Sequence, residues 1–264
     1  MVRIKILFLS ATPIKLKNQS HDLTEQLIVT LTSYPARFKT LHLVLKTLFL
    51  QTVSPDQIIL WISHNDKNQL TNNITDYKKY GLRINYCEDF KSFNKIIHTI
   101  NENKKRYILT VDDDIMYSRT LIENLVKASK QFPENIIANR VHKIILNEKN
   151  IPISYNNWKQ EIASKDTDKL NFQTGVGGVL YPPDAFYKDV NRIDLINKLC
   201  PNADDIWLYW MIRLNKKIVK QSGFREKLQE IPNTQDTNLK IKNVLNNSND
   251  EQIKNMIEYF GFQN

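Results

Sequence analysis

The sequence predicts an α/β protein built on a mixed, mostly parallel sheet flanked by helices. Three observations carry that reading. Runs of β-forming residues alternate with helically spaced apolar stripes from Leu27 to Gln131. The 264 residues, 41% hydrophobic and 10% aromatic, suffice for one sizeable core, with no compositional break to suggest a second. Residues of chemical interest fall where strand runs end, the side on which open parallel sheets bind ligands.

Leu27 to Thr32 is a strand run, and Ser33-Tyr34-Pro35-Ala36-Arg37 follows as a loop fixed by its proline. Phe38, Leu41, Val44, Leu45, Leu48 and Phe49 recur at helical spacing until Ser54-Pro55-Asp56 breaks the pattern, and Gln57 to Ile62 reads as a buried strand. Leu82, Ile84 and Tyr86 alternate as a third strand, Phe93, Ile96, Ile97 and Ile100 mark a second helix, and Arg106 to Val111 is a fourth strand. A helix from Arg119 to Gln131 stops at Pro133.

Regularity then fades. Gly175, Gly177 and Gly178 place three of the chain's six glycines within four residues, which implies either a tight bulge against a neighbouring strand or backbone pressed against a substrate. Cys200-Pro201-Asn202-Ala203 delivers Asp204 and Asp205 to the start of an apolar helix, as helix N-terminal charges or as catalytic carboxylates. Residues 1–26 read as a leader or first strand, 27–224 as a single domain, and 225–264 as a polar extension. Its helix near Glu251 to Phe260 either docks on the core or lies on a membrane surface.

No run approaches the roughly 20 apolar residues that a membrane-spanning helix needs. Cys87 and Cys200 lie far apart without metal-type spacing, so free thiols in the cytoplasm are expected. The formal charge of +9 attracts polyanions. The basic residues are scattered and no nucleic-acid motif accompanies them, so a solvated surface comes first, weak adhesion to the inner membrane surface second, and nucleic acid is not an expected partner.

The sharpest local feature is Asp112-Asp113-Asp114 at the end of the fourth strand. Adjacent carboxylates flanked by apolar residues repel one another, and a divalent cation resolves that conflict. In extended backbone Asp112 and Asp114 project to one side and Asp113 to the other, so a D-x-D pair presents hard oxygens to Mg²⁺ or Mn²⁺. Such ions keep coordination positions for water and phosphate oxygens, which points to a diphosphate ligand; the alternative reading of the same residues is a solvated Asp-rich turn after a buried strand.

Taken together, Ile28 to Arg37 with Leu48-Phe49-Leu50-Gln51-Thr52, the Asp112-Asp113-Asp114 run, and Ala203-Asp204-Asp205 after the glycine segment resemble the nucleotide-sugar-dependent glycosyltransferases of the GT-A fold. The similarity is to the bacterial family-2-like enzymes of capsule and lipopolysaccharide synthesis. It implies a Rossmann-like domain, a UDP-sugar donor, Mn²⁺ or Mg²⁺ on Asp112 and Asp114, and a glycan or lipid-linked oligosaccharide acceptor. Donor contacts would fall on Thr32, Ser33, Tyr34, Arg37, Asp66, Lys95, Asp113, Gly177 and Gly178. Asp205 takes the base role and Asp204 orients it, giving inversion at the anomeric carbon; retention follows if no base faces the leaving group. Tyr155, Trp158, Tyr181 or Trp207 would offer an apolar platform for a sugar face.

This sequence departs from the family in two places. Ser63 stands where family members hold the nucleotide base with an aspartate, and Asp66 follows slightly later; the acidic pair is Asp-Asp instead of Glu-Asp. The competing readings are a haloacid-dehalogenase-type phosphatase, with Asp112 as nucleophile, and a non-catalytic glycan-binding protein. A nucleotidyltransferase needs a glycine-rich phosphate loop, and the loop after the first strand has no glycine.

Overall fold

The computed structural model describes residues 9, 12–14, 19–102, 105–163, 168–224, 228–232, 234 and 248–262. Most of the expected leader and much of the C-terminal extension therefore lie outside the described residues.

The first half alternates as expected: β1 (Leu27–Thr32), α1 (Phe38–Phe49), β2 (Gln57–Ser63), β3 (Leu82–Cys87), α2 (Ile97–Asn101), β4 (Tyr107–Thr110) and α3 (Leu121–Gln131). The second half adds β5 (Ile136–Ala138), β6 (Val179–Tyr181), α4 (Ile193–Leu199), α5 (Asp204–Leu214), β7 (Val219–Gln221) and α6 (Ser248–Phe260). These seven strands form one sheet in the order β7-β5-β6-β4-β1-β2-β3. β6 runs antiparallel to both of its neighbours, and every other pairing is parallel. The fold is thus a mixed, mostly parallel α/β sheet.

Alternation along the strands gives each face its own core. Leu27, Val29 and Leu31 of β1, Leu109 of β4 and Ile137 of β5 pack with α1 and α3 through Leu41, Leu45, Leu121 and Leu125. Ile108, Ile136, Val179 and Tyr181 face the other way, against Ile196 of α4, Trp207 and Met211 of α5, and Ile253 and Met256 of α6. Full burial of one such aliphatic side chain contributes about 1.5–3 kcal/mol, which explains why short strands suffice here.

Two elements differ from expectation. The second helix is broken: Lys91–Lys95 forms a 3-10 turn, Ile96 adopts φ −131°, and only Ile97–Asn101 is α-helical. Thr30 Oγ1 donates to the Lys95 carbonyl at 2.6 Å, engaging an acceptor that a continuous helix uses internally. The fourth strand ends at Thr110, short of the acidic run. The C-terminal helix packs on α4 and α5 and is capped by the contact of Trp210 Nε1 with the Gly261 carbonyl at 3.1 Å. Among the described residues no helix is long and apolar enough to cross a membrane. Cys87 and Cys200 are free and buried.

The parallel register sets Leu27 beside Tyr107 and Thr30 beside Thr110, so the loops after β1 and β4 leave the sheet together. β1 lies between β2 and β4, and the connections diverge at that point, which opens a crevice beyond the carboxyl ends.

Candidate active site

A cavity of about 870 Å³ fills that crevice. One wall comes from the loops after β1 to β4, through Ser33, Arg37, Asp66, Lys95 and Asp112 to Asp114. The other comes from the second half, through Arg140, His142, Tyr155, Gly175, Asp204 and Asp205.

The acidic run sits in a turn. The Asp112 N–H donates to the Tyr117 hydroxyl at 2.7 Å, Asp113 and Asp114 turn the chain, and the Asp114 carbonyl accepts from Ile231 N–H at 2.8 Å. The alternation expected of an extended strand is therefore absent, and Asp113 does not oppose its neighbours. Instead one buried guanidinium serves two of them: Arg37 Nη1 lies 2.8 Å from Asp114 Oδ2 and 3.7 Å from Asp113 Oδ1. Ser33 Oγ donates to Asp113 Oδ2 at 2.6 Å. Burial raises Asp113 to about 6 against the pull of Arg37 and Ser33. Burial would lower the Arg37 pKa, but Asp113 and Asp114 hold it above its ordinary value.

Lys95 joins the two walls. Its Nζ lies 3.1 Å from Asp112 Oδ1, as a hydrogen bond, and 2.9 Å from Asp204 Oδ2, as an ion pair without hydrogen-bond alignment. Burial opposes the ammonium charge, yet Asp112, Asp204 and Asp205 outweigh it and push the pKa well above the usual lysine value. Asp112 is itself raised by burial, with Lys95 opposing and Asp114 adding to the shift.

Asp205 stands in the first turn of α5, but its carboxylate does not cap that helix. Both oxygens accept the Gly175 N–H at 2.9 Å. Burial and the neighbouring Asp204 raise its pKa to about 7, against Lys95 and the Gly175 bond. A carboxylate near neutrality that still faces a cavity has the balance a general base needs. Glycine at 175 leaves room for both charged groups, because a Cβ there would lie 3.1 Å from Asp205 Oδ1 and from Lys95 Nζ and would press each of them back by a few tenths of an ångström.

The remaining expected residues divide. Thr32, Tyr34 and Asp66 line the cavity; Thr32 Oγ1 donates to the Trp61 carbonyl at 2.9 Å, Tyr34 is 39% exposed, and Asp66 is raised by burial and by Asp89. Gly177 and Gly178 do not line it. They adopt φ +95° and +94°, and Gly178 packs against Leu109, Leu121 and Leu125, so their glycine requirement comes from backbone conformation and close packing. Of the four aromatic platforms only Tyr155 reaches the cavity; Trp158, Tyr181 and Trp207 are core, 3%, 1% and 0% exposed. His142 lines the cavity as a neutral ring, lowered to about 4 by burial and Arg140, its Nδ1 accepting from Glu161 N–H at 3.0 Å.

Sequence reasoning missed Gly175, Asn249 and Arg140 as wall residues. The signal for Gly175 was present, in the first member of the glycine cluster. Asn249 lies 137 residues beyond Asp112, on a polar stretch with no local pattern to mark it.

Asp112 to Asp114, Asp204 and Asp205 form the central carboxylate cluster of this cavity, and Lys95 and Arg37 are the cations bonded into it. Among the described residues no three His, Cys, Asp or Glu side chains form a metal cage. The donor set nevertheless fits a hard cation held by one or two carboxylates and completed by water and phosphate oxygens, since such an ion would relieve the excess negative charge.

No protein-family model and no curated protein sequence matches the chain. Among solved structures it is similar to S. aureus TarS 1-349, at 13% identity over 81% of this chain and 60% of that one, with a TM-score of 0.49. TarS 1-349 in complex with UDP-GlcNAc matches at 12% identity over 80% and 57%, TM-score 0.46. The inositol-1-phosphate CTP transferase from T. maritima matches at 12% identity over 89% and 97%, TM-score 0.44. The chain thus spans about 60% of the TarS fragment. At these identities and scores the functional reading rests on the residues of the cavity itself.

Proposed function

We propose that this protein is a glycosyltransferase of the GT-A type that moves a sugar from a nucleoside diphosphate donor, UDP-sugars first, to a hydroxyl of a glycan or lipid-linked glycan. The observation that carries this reading is Lys95, whose ammonium lies 3.1 Å from Asp112 and 2.9 Å from Asp204 and so joins a cation-type carboxylate cluster to a candidate base in one cavity. The net charge of +9 supports weak contact with an anionic membrane surface, and the buried free thiols support a reducing compartment.

Asp112 and Asp114 would hold Mn²⁺ or Mg²⁺, which supplies Lewis-acid stabilisation of the departing diphosphate. Arg37, whose guanidinium lies against Asp113 and Asp114, orients those two carboxylates and offsets their charge. Ser33 orients Asp113, and Tyr34 and Asp66 stand at the mouth where the nucleoside enters. Asp205 accepts the proton of the acceptor hydroxyl while Gly175 N–H holds the carboxylate still, and attack opposite the leaving group inverts the anomeric carbon. Asp204 and Lys95 set the charge around that base.

The test is a panel of nucleotide-sugars scored for Mn²⁺-dependent thermal stabilisation, followed by product analysis with the best donor. A bound ligand raises the melting temperature in step with its affinity. Stabilisation by one UDP-sugar and release of UDP is the expected result. No stabilisation by any nucleotide-sugar, or a phosphoenzyme trapped on Asp112, contradicts the proposal.

A further inference from the structure

The C-terminal helix makes contacts that a passive extension has no need of. Asp250, in the first turn of α6, accepts the Tyr155 N–H on Oδ1 at 2.6 Å and the Ser154 hydroxyl on Oδ2 at 2.6 Å. Gln252, 4% exposed, accepts the Asn202 N–H on Oε1 at 2.9 Å, two residues before Asp204. Its amide nitrogen is anchored to the Ser248 carbonyl at 3.0 Å, so the glutamine is held at both ends. Asn249 lines the cavity directly.

Those bonds go to the two irregular segments of the second wall. Tyr155 opens the 3-10 turn Tyr155–Asn157, and its ring packs on Trp158, Phe172 and His142 at 4.9, 6.0 and 6.0 Å. Tyr155 and Asp205 both line the cavity, and after burial the charge of Asp205 raises the tyrosine's pKa. A backbone amide bonded to a carboxylate fixes the start of that turn, and hence the place of the ring in the wall. The Asp112-to-Asp114 turn and the Ser33 loop are tied to one another, through Ser33 on Asp113 and Arg37 on Asp114.

We infer that α6 builds the acceptor wall of the cavity, with Asp250 as the positioning residue that sets Tyr155 in the wall it shares with Asp205, to receive a sugar ring of the acceptor. The inference rests on the glycosyl-transfer reading for what the wall receives, and on the contacts alone for what α6 does. A tyrosine ring in a cavity wall lined also by carboxylates suits the apolar face and polar rim of a pyranose. The helix therefore governs the acceptor and leaves the donor untouched.

The experiment compares Asp250→Ala and the milder Ser154→Ala, which removes one of the two bonds and keeps the helix sequence, with the wild type. Hydrogen exchange read by mass spectrometry should quicken at residues 154–158 and stay unchanged at 32–37 and 111–114. Calorimetry with UDP and Mn²⁺ should give affinities within about twofold of wild type, because no donor-side contact is lost. With the best UDP-sugar of the panel and methyl glycosides as probe acceptors, transfer should fall by about tenfold through the acceptor KM, while hydrolysis of the donor by water is retained. Unchanged exchange at 154–158, or a parallel loss of UDP affinity, overturns the assignment. If the wild type binds no UDP-sugar, the glycosyl-transfer reading fails, and the exchange comparison alone decides whether Asp250 positions Tyr155.

Discussion

The two walls of the cavity are built in opposite ways. The first is made of loops that leave adjacent parallel strands in register, so Ser33 meets Asp113 at 2.6 Å across the divergence of β1 and β4. The second is assembled from distant segments: Gly175 N–H on Asp205, Asp250 on Tyr155, Gln252 on Asn202. A wall made by strand order is held by the sheet itself, whereas a wall made by side-chain bonds to backbone is held only by those bonds. The first therefore tolerates loss of a single hydrogen bond, and the second concentrates the cost of each substitution locally.

Substitutions on the two walls should separate cleanly. Asp205→Asn has the largest expected effect: transfer falls by about 10² to 10⁴ with donor affinity retained, read by initial rates and calorimetry. Near-normal turnover would remove Asp205 from the base role and with it the division between the walls. Asp112→Ala or Asp114→Ala should lower cation-dependent UDP affinity on the order of a hundredfold, which corresponds to about 2.8 kcal/mol of lost charge stabilisation. Gly175→Ala forces apart groups that its Cβ would meet at 3.1 Å, so transfer should fall about tenfold or more with UDP binding intact. Donor affinity falling with it would mean that the two walls move as one.

The pH dependence gives a finer test. Asp205, raised from 3.8 to about 7, binds a proton in the folded state that it has lost in the unfolded chain, so its burial costs stability progressively as pH rises from about 4 through about 7. Asp205→Asn should accordingly raise the melting temperature at pH 8 by a few degrees and change it little at pH 4. An equal shift at both pH values would mean that the carboxylate is not held near neutrality. The smallest functional effect is expected at Gly178→Ala. Its φ of +94° and its contact with Leu121 make the change destabilising by about 1–2 kcal/mol in denaturant titration, with UDP affinity per folded molecule unchanged.

The sequence carried the first wall because that wall follows from period and order. The stripe from Phe38 to Phe49 and the buried run Gln57–Ile62 occupy the places their patterns assign, and the acidic run follows directly on the fourth strand's end. Local chemistry overrode pattern at two points: Thr30 takes the Lys95 carbonyl and breaks the second helix, and the chain turns after Val111, so alternation does not reach Asp113. The second wall was mostly unreadable. Gly175, Gly177 and Gly178 share one cluster, yet one glycine clears space for a carboxylate and an ammonium while the others serve positive φ and packing. Asp250 and Gln252 act on segments more than 40 residues away in sequence, beyond any periodicity.

The most direct measurement is calorimetric titration of UDP, with and without Mn²⁺, into the wild type, Asp114→Ala and Asp205→Asn. The account predicts Mn²⁺-dependent binding in the wild type, its loss in Asp114→Ala, and its retention in Asp205→Asn. Binding that ignores Mn²⁺ and survives Asp114→Ala, or that disappears with Asp205→Asn, would contradict it.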